Sequence, residues 1–191
     1  MNNGDIQRVL TQPPVEGVAF LDFDGVICTA RAFYASRMDE GNTGFMRTLD
    51  ATSIALIDRL CLHYNLAVVI SSTWRREGEG TLTILRTHGF RSPFWTKKST
   101  VDPLYDTPWC TPLLSNKTPR GQEISNWLAL YPEVEHYMCF DDNPTAAIMH
   151  PYKGVVCNVD DGMTFDNFWE ADQLLSKQLH KNPLVVTVPL S

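Results

Sequence analysis

The sequence predicts an α/β fold: a mainly parallel central sheet flanked by helices. Short apolar runs recur without polar alternation, as expected for strands covered on both faces. Between them, apolar residues fall at helical spacing, giving the alternation of a layered α/β domain. Polar residues with chemical potential stand where the runs end, and open parallel sheets bind ligands beyond the carboxyl ends of their strands.

VAFLDF, residues 18–23 between Gly17 and Gly25, reads as the first strand. LAVVI, residues 66–70, is the second and stops at Ser71 and Ser72. Between them Ile54, Ile57, Leu60, Cys61 and Tyr64 line one helical face, with Asp50, Thr52 or Ser53 available as the cap. Thr118 and Pro119 form a cap and first-turn pair for a helix carrying Ile124, Trp127, Leu128 and Tyr131. HYMCF, residues 136–140, is a further strand, Pro144 opens a short helix, and Gly154 precedes the strand-like VVCNV. A last helix is expected from about Asp166 to His180, and LVVTV at 184–188 either adds a strand or docks.

The chain has 191 residues and a net charge of −6, with 43% hydrophobic and 20% charged residues, which suits one globular domain with a real core. That domain is expected over residues 1–191, its core over about 15–180, with small lid segments at about 30–48 and about 97–116. The acidic balance, with no block of Lys and Arg, argues against long-range attraction to a nucleic-acid backbone but leaves room for a local basic pocket. Five cysteines in no paired spacing suggest neither a disulfide framework nor a Cys-ligated zinc. The opening MNNGDIQRVLTQPP lacks the pattern of a secretory signal, and nothing approaches the roughly 20 apolar residues of a membrane span, so a cytoplasmic, soluble protein is expected.

The polar residues gather into one expected site. Asp22 and Asp24 alternate off the first strand toward the same side, with Gly25 turning the backbone behind them. Carboxylates about 4 Å apart repel by about 4 kcal/mol at an effective dielectric of about 20, so cations must join them. An oxygen-only donor set favours Mg²⁺ over zinc, with Asp22, Asp24, Asp141 and Asp142 as candidate ligands. Lys117 supplies the second positive charge, leaving Asp22 ionised as a nucleophile.

LDFDGV, VVISS, NKTP and CFDDNP, in that order, resemble the four motifs of the haloacid dehalogenase superfamily of phosphatases, from about Val18 to Val159. The resemblance implies a Rossmann-like fold with at most a small cap. It also implies attack by Asp22 to form an aspartyl-phosphate, and proton transfer by Asp24. Ser71, with Ser72 as the alternative register, would hold the phosphoryl oxygens. Lys117 would compensate charge, and Asp141 and Asp142 would bind the metal, Asp141 the more directly. NKTPRGQEISNWL followed by FDDNPTAAIMHPYKGVVCNV is similar to the phosphatase domain of phage polynucleotide kinases and to small RNA-repair or nucleotidase-like members. No Gly-rich loop ending in Lys and Ser or Thr occurs, so only the dephosphorylating activity carries over.

The expected function is a Mg²⁺-dependent phosphomonoester hydrolase acting on nucleoside monophosphates. The alternatives are a phosphatase of 3′ or 5′ polynucleotide ends, or a binding module on the same fold without turnover. Several residues keep two readings. Arg75 either touches substrate phosphate or closes a salt bridge, Lys117 is catalytic or a solvated loop lysine, and Asp142 binds metal or caps a helix. Phe33, Tyr34, Trp95 and Trp109 either stack on a base or pack under a loop. Cys28 is expected to be a small buried hydrophobe, and the five histidines show no ligand spacing.

Overall fold

The computed structural model describes residues 14–37, 48–115, 117–150 and 153–184, with the side chains of 37 and 147–149 excluded. Its sheet holds β1 (Gly17–Leu21), β2 (Leu66–Ile70), β3 (Tyr137–Asp141) and β4 (Gly154–Val156) in the order β2-β1-β3-β4, with every pairing parallel. Between β1 and β2 run α1 (Ala30–Arg37) and α2 (Ala51–His63); between β2 and β3 come a 3₁₀ turn (Thr73–Glu77), α3 (Gly80–Thr87) and α4 (Arg120–Leu130). The short α5 (Pro144–Met149) precedes β4, and α6 (Phe165–Leu179) follows it.

Alternation along the strands builds two cores. Ala19, Leu21, Val68, Ile70, Met138 and Phe140 join the apolar sides of α2 and α6. Val18, Phe20, Ala67, Val69 and Cys139 face Ile124 and Trp127 of α4 and Tyr131 at its C-terminal cap. Trp127 is fully buried, meets Phe20 edge-on at 5.2 Å, and donates its indole N–H to the Pro108 carbonyl at 3.0 Å. Helices therefore cover both faces of the sheet, as its unpatterned apolar strands require.

Local signals are used much as expected, with instructive differences. Asp50 is the cap of α2, accepting from the Ser53 amide at 2.9 Å. The last helix begins one residue earlier than expected, because Thr164 and Asn167 close a reciprocal capping box. Pro119 rather than Thr118 stands at the cap of α4, since the Thr118 hydroxyl pairs with that of Ser115 at 3.0 Å. Residues 30–37 form a helix where an irregular lid was expected, whereas 97–115 carry no helix or strand. Residues 38–47, Asn116 and most of the 184–188 run lie outside the described residues. Among those described, no helix is long and apolar enough to cross a membrane.

Candidate active site

Register brings the site together. Leu21 pairs with Ile70 on one side and with Phe140 on the other, so the next residue of each strand, Asp22, Ser71 and Asp141, falls in one row. The Asp22 amide donates to the Phe140 carbonyl at 3.0 Å and the Ser71 amide to the Leu21 carbonyl at 2.9 Å, locking that row. Because β2 and β3 flank β1 from opposite sides, Asp22 sits where the winding direction reverses, the usual ligand crevice of such sheets.

Behind Asp22 the chain turns tightly, and the Phe23 carbonyl accepts the amides of Val26, Ile27 and Cys28 at 3.1, 2.9 and 2.7 Å. Gly25 makes this possible with φ of +73°; a Cβ there would lie 2.5 Å from Asp142 Oδ2. This close approach carries Asp142 to the other acids. Carboxylate oxygens of Asp22, Asp141 and Asp142 all lie within 4.8 Å of one another. Asp22 is 5% and Asp141 2% exposed, and buried Asp141 Oδ2 accepts no hydrogen bond, its contact being the Arg120 guanidinium at 3.2 Å. An all-oxygen group of three carboxylates fits a hard divalent cation, and lacks the nitrogen and sulfur donors zinc prefers. Among the described residues it is the only such acidic, His or Cys grouping, and no histidine joins it.

Asp24 takes a different place from the one expected. Its exposed carboxylate turns to Trp74, whose indole N–H donates to Oδ1 at 3.1 Å, and its side chain is outside the three-carboxylate group. The indole is itself stacked on buried Phe23, ring centroids 5.0 Å apart. Partial burial raises the Asp24 carboxyl above its ordinary value, the Trp74 hydrogen bond opposes this, and the charge of Asp22 adds to the rise. Burial and then the charge of Asp22 also push up Asp141 and Asp142.

The cation against the acids is Arg120. It lies 3.6 Å from Asp22 Oδ2, 3.2 Å from Asp141 Oδ2 and 2.9 Å from Glu123 Oε2, and also donates to the Ser71 carbonyl. Burial works against its charge, but Asp22, Asp141 and Glu123 outweigh that and hold the guanidinium above its ordinary value. Lys117, expected in this position, is exposed and one turn earlier, and makes no ion pair among the described residues. Arg120 went unnoticed in the sequence because it stands inside the run NKTPRGQEISNWL, where Lys117 matched the motif; the signal was an Arg opening a helix with Glu three residues on.

Ser71 and Ser72 separate clearly. Both are fully buried, but the Ser72 hydroxyl accepts from the Trp74 amide at 3.4 Å and caps the 3₁₀ turn, whereas the Ser71 hydroxyl has no partner. Arg75 is buried; it donates to the Ser72 carbonyl at 2.6 Å and pairs with Glu123 at 2.8 Å. Those bonds are the salt-bridge reading of Arg75, and they link the end of β2 to α4. Of the four candidate stacking aromatics, Phe33, Trp95 and Trp109 are buried and Tyr34 is exposed. The Cys28 thiol is pushed up to about 12 by burial and the charges of Asp24 and Asp22, which disarms it as a nucleophile.

The family model described as the HAD domain in Swiss Army Knife RNA repair proteins matches residues 18–168, well over half the chain and all of the row just described. The chain belongs to this family. No curated protein and no solved structure matches it. As a HAD domain the protein is a phosphatase of the haloacid dehalogenase superfamily, and its parallel sheet with helices on both faces is that superfamily's Rossmann-like fold.

Proposed function

We propose that this HAD domain is a Mg²⁺-dependent phosphatase of nucleic-acid ends, working through an aspartyl-phosphate on Asp22. The observation that carries the reading is the row at the strand ends. A buried carboxylate at the switch point has two further carboxylates on one side, a partnerless buried hydroxyl beside it, and a guanidinium across two of the acids. Asp22, Asp141 and Asp142 would hold the cation, which supplies the charge compensation that lets a phosphate dianion approach.

An Asp22 oxygen attacks phosphorus in line, forming a new P–O bond as the bond to the leaving alcohol breaks. Asp24, held apart from the metal group by Trp74, gives its proton to that departing oxygen. Water then attacks phosphorus, Asp24 takes the water proton, and the Asp22–phosphorus bond breaks to release inorganic phosphate. Burial and the Asp22 charge favour the protonated Asp24 needed first; Trp74 favours the ionised form needed second. The Ser71 hydroxyl donates to a phosphoryl oxygen, and Arg120 keeps Asp22 and Asp141 in register.

The family's description in RNA repair favours a polynucleotide end over the free nucleoside monophosphate expected from the sequence. The net charge of −6 is the one observation on the other side. Phosphate release from 3′- and 5′-phosphorylated oligonucleotides, beside the matching nucleoside monophosphates, decides between them. Hydrolysis should need Mg²⁺, stop with a chelator and be lost in Asp22→Asn. Equal turnover in that variant would refute the nucleophile, and a preference for monophosphates would restore the free-nucleotide reading.

A further inference from the structure

A cavity of about 370 Å³ adjoins the carboxylate row, and its walls tie it to the chemistry. Arg120 lines it while reaching Asp22, and Asn143 lines it while its amide donates to Asp141 Oδ1 at 2.9 Å. Among the described residues the lining holds one acid, Glu123, which is paired to Arg75 and Arg120, while Arg120 also faces Asp22 and Asp141. Lys117 in the same wall has no acid against it and gives this part of an acidic chain a positive charge to offer an anion.

Lys117 offers three donors and makes no ion pair among the described residues, and the Thr145 hydroxyl is buried in the same wall without a partner. Among the described residues no aromatic ring lines the cavity, and the donors it offers suit an anion with several acceptor oxygens. In the reading proposed above the reacting phosphate lies against Asp22 and Ser71, neither of which lines this cavity, so an anion held here is a second one.

We infer that the cavity is the subsite for the internal phosphodiester next to the terminal phosphate of a nucleic-acid end, with Lys117 as the cation that meets it. The inference rests on the phosphatase reading above and adds which part of the substrate is read. It also gives Lys117 a task at the neighbouring phosphate in place of the one the motif implied.

The test compares kcat/KM for a terminally phosphorylated dinucleotide, the same dinucleotide with a neutral methylphosphonate linkage, and the nucleoside monophosphate. The wild-type protein should favour the charged dinucleotide over both others by at least about tenfold. Lys117→Glu should erase most of that preference, and Lys117→Ala and Thr145→Val should each reduce it. A neutral linkage used as well as the charged one, or an equal loss on all three substrates in the lysine variants, would overturn the proposal. Binding of the three ligands to Asp22→Asn protein reads the same preference without turnover, so a failure of the phosphatase reading is seen separately.

Discussion

Removing Arg120 is the sharpest perturbation of the site. Its guanidinium is 14% exposed, with Asp22 at 3.6 Å and Asp141 at 3.2 Å, so each attraction is on the order of 5 kcal/mol at an effective dielectric of about 20, before desolvation. Burying the guanidinium costs several kcal/mol in return, so the pairs together contribute far less than their sum. Arg120→Met keeps the packed stem but strands Asp22 and Asp141 without their shared cation, while Glu123 keeps Arg75. Deleting one partner of a buried pair costs about 3–5 kcal/mol, and that is the expected loss in metal-free protein near neutral pH. In urea unfolding, with slopes of about 1–3 kcal/mol/M, the midpoint should fall by at least about 1 M. A divalent cation competes with Arg120 for the same carboxylates, so added Mg²⁺ should restore more stability to the variant than it adds to the wild-type protein. A variant as stable as wild type in chelator, with no larger gain from Mg²⁺, would show that Arg120 does not hold the acids together.

Three further outcomes follow from other contacts. Gly25→Ala puts a side chain at φ of +73° and 2.5 Å from Asp142 Oδ2, so it should cost about 1–2 kcal/mol for the backbone alone and weaken Mg²⁺ binding; calorimetric titration with unchanged affinity would contradict this. Trp74→Phe keeps the stack on Phe23 but removes the donor that favours ionised Asp24, so breakdown of the aspartyl-phosphate, a step shared by all substrates, should slow about tenfold or more and the intermediate should accumulate. An unchanged breakdown rate would make Trp74 a packing residue only. Asp141 is raised in the folded state, so it binds more protons folded than unfolded; metal-free protein should be most stable on the acid side and lose stability as pH climbs from about 4 through the raised midpoint. Thermal melts in chelator that improve over that range would reverse the sign.

Much of the fold was legible because its signals are local. A strand covered on both faces needs an uninterrupted apolar run, and β2 occupies residues 66–70 as the pattern indicates. Asp50 declared the start of α2 because a carboxylate can satisfy a free helix amide. The 3₁₀ turn at Thr73–Glu77 and α3 at Gly80–Thr87 were not legible: each is short, and the turn is held by the Ser72 cap and by Arg75 reaching back to Ser72. The helix over residues 30–37 likewise depends on a distant partner, since Arg31 closes onto Asp50 at 2.7 Å.

The site divides along the same line. Residues fixed by strand register, Asp22, Ser71 and Asp141, are placed by counting from the ends of apolar runs. The cation is placed by where a helix enters, and one turn separates two candidates. Lys117 precedes Pro119, which sets the cap and keeps that lysine outside α4; Arg120 is the first helical residue, and Glu123 on the next turn pulls its guanidinium at 2.9 Å back over the strand ends. Arg120 takes Asp22 and Asp141, and Lys117 makes no ion pair among the described residues. Lys117 is therefore left facing a cavity whose lining acid is already taken, which is the electrostatic condition for binding an anion brought from outside.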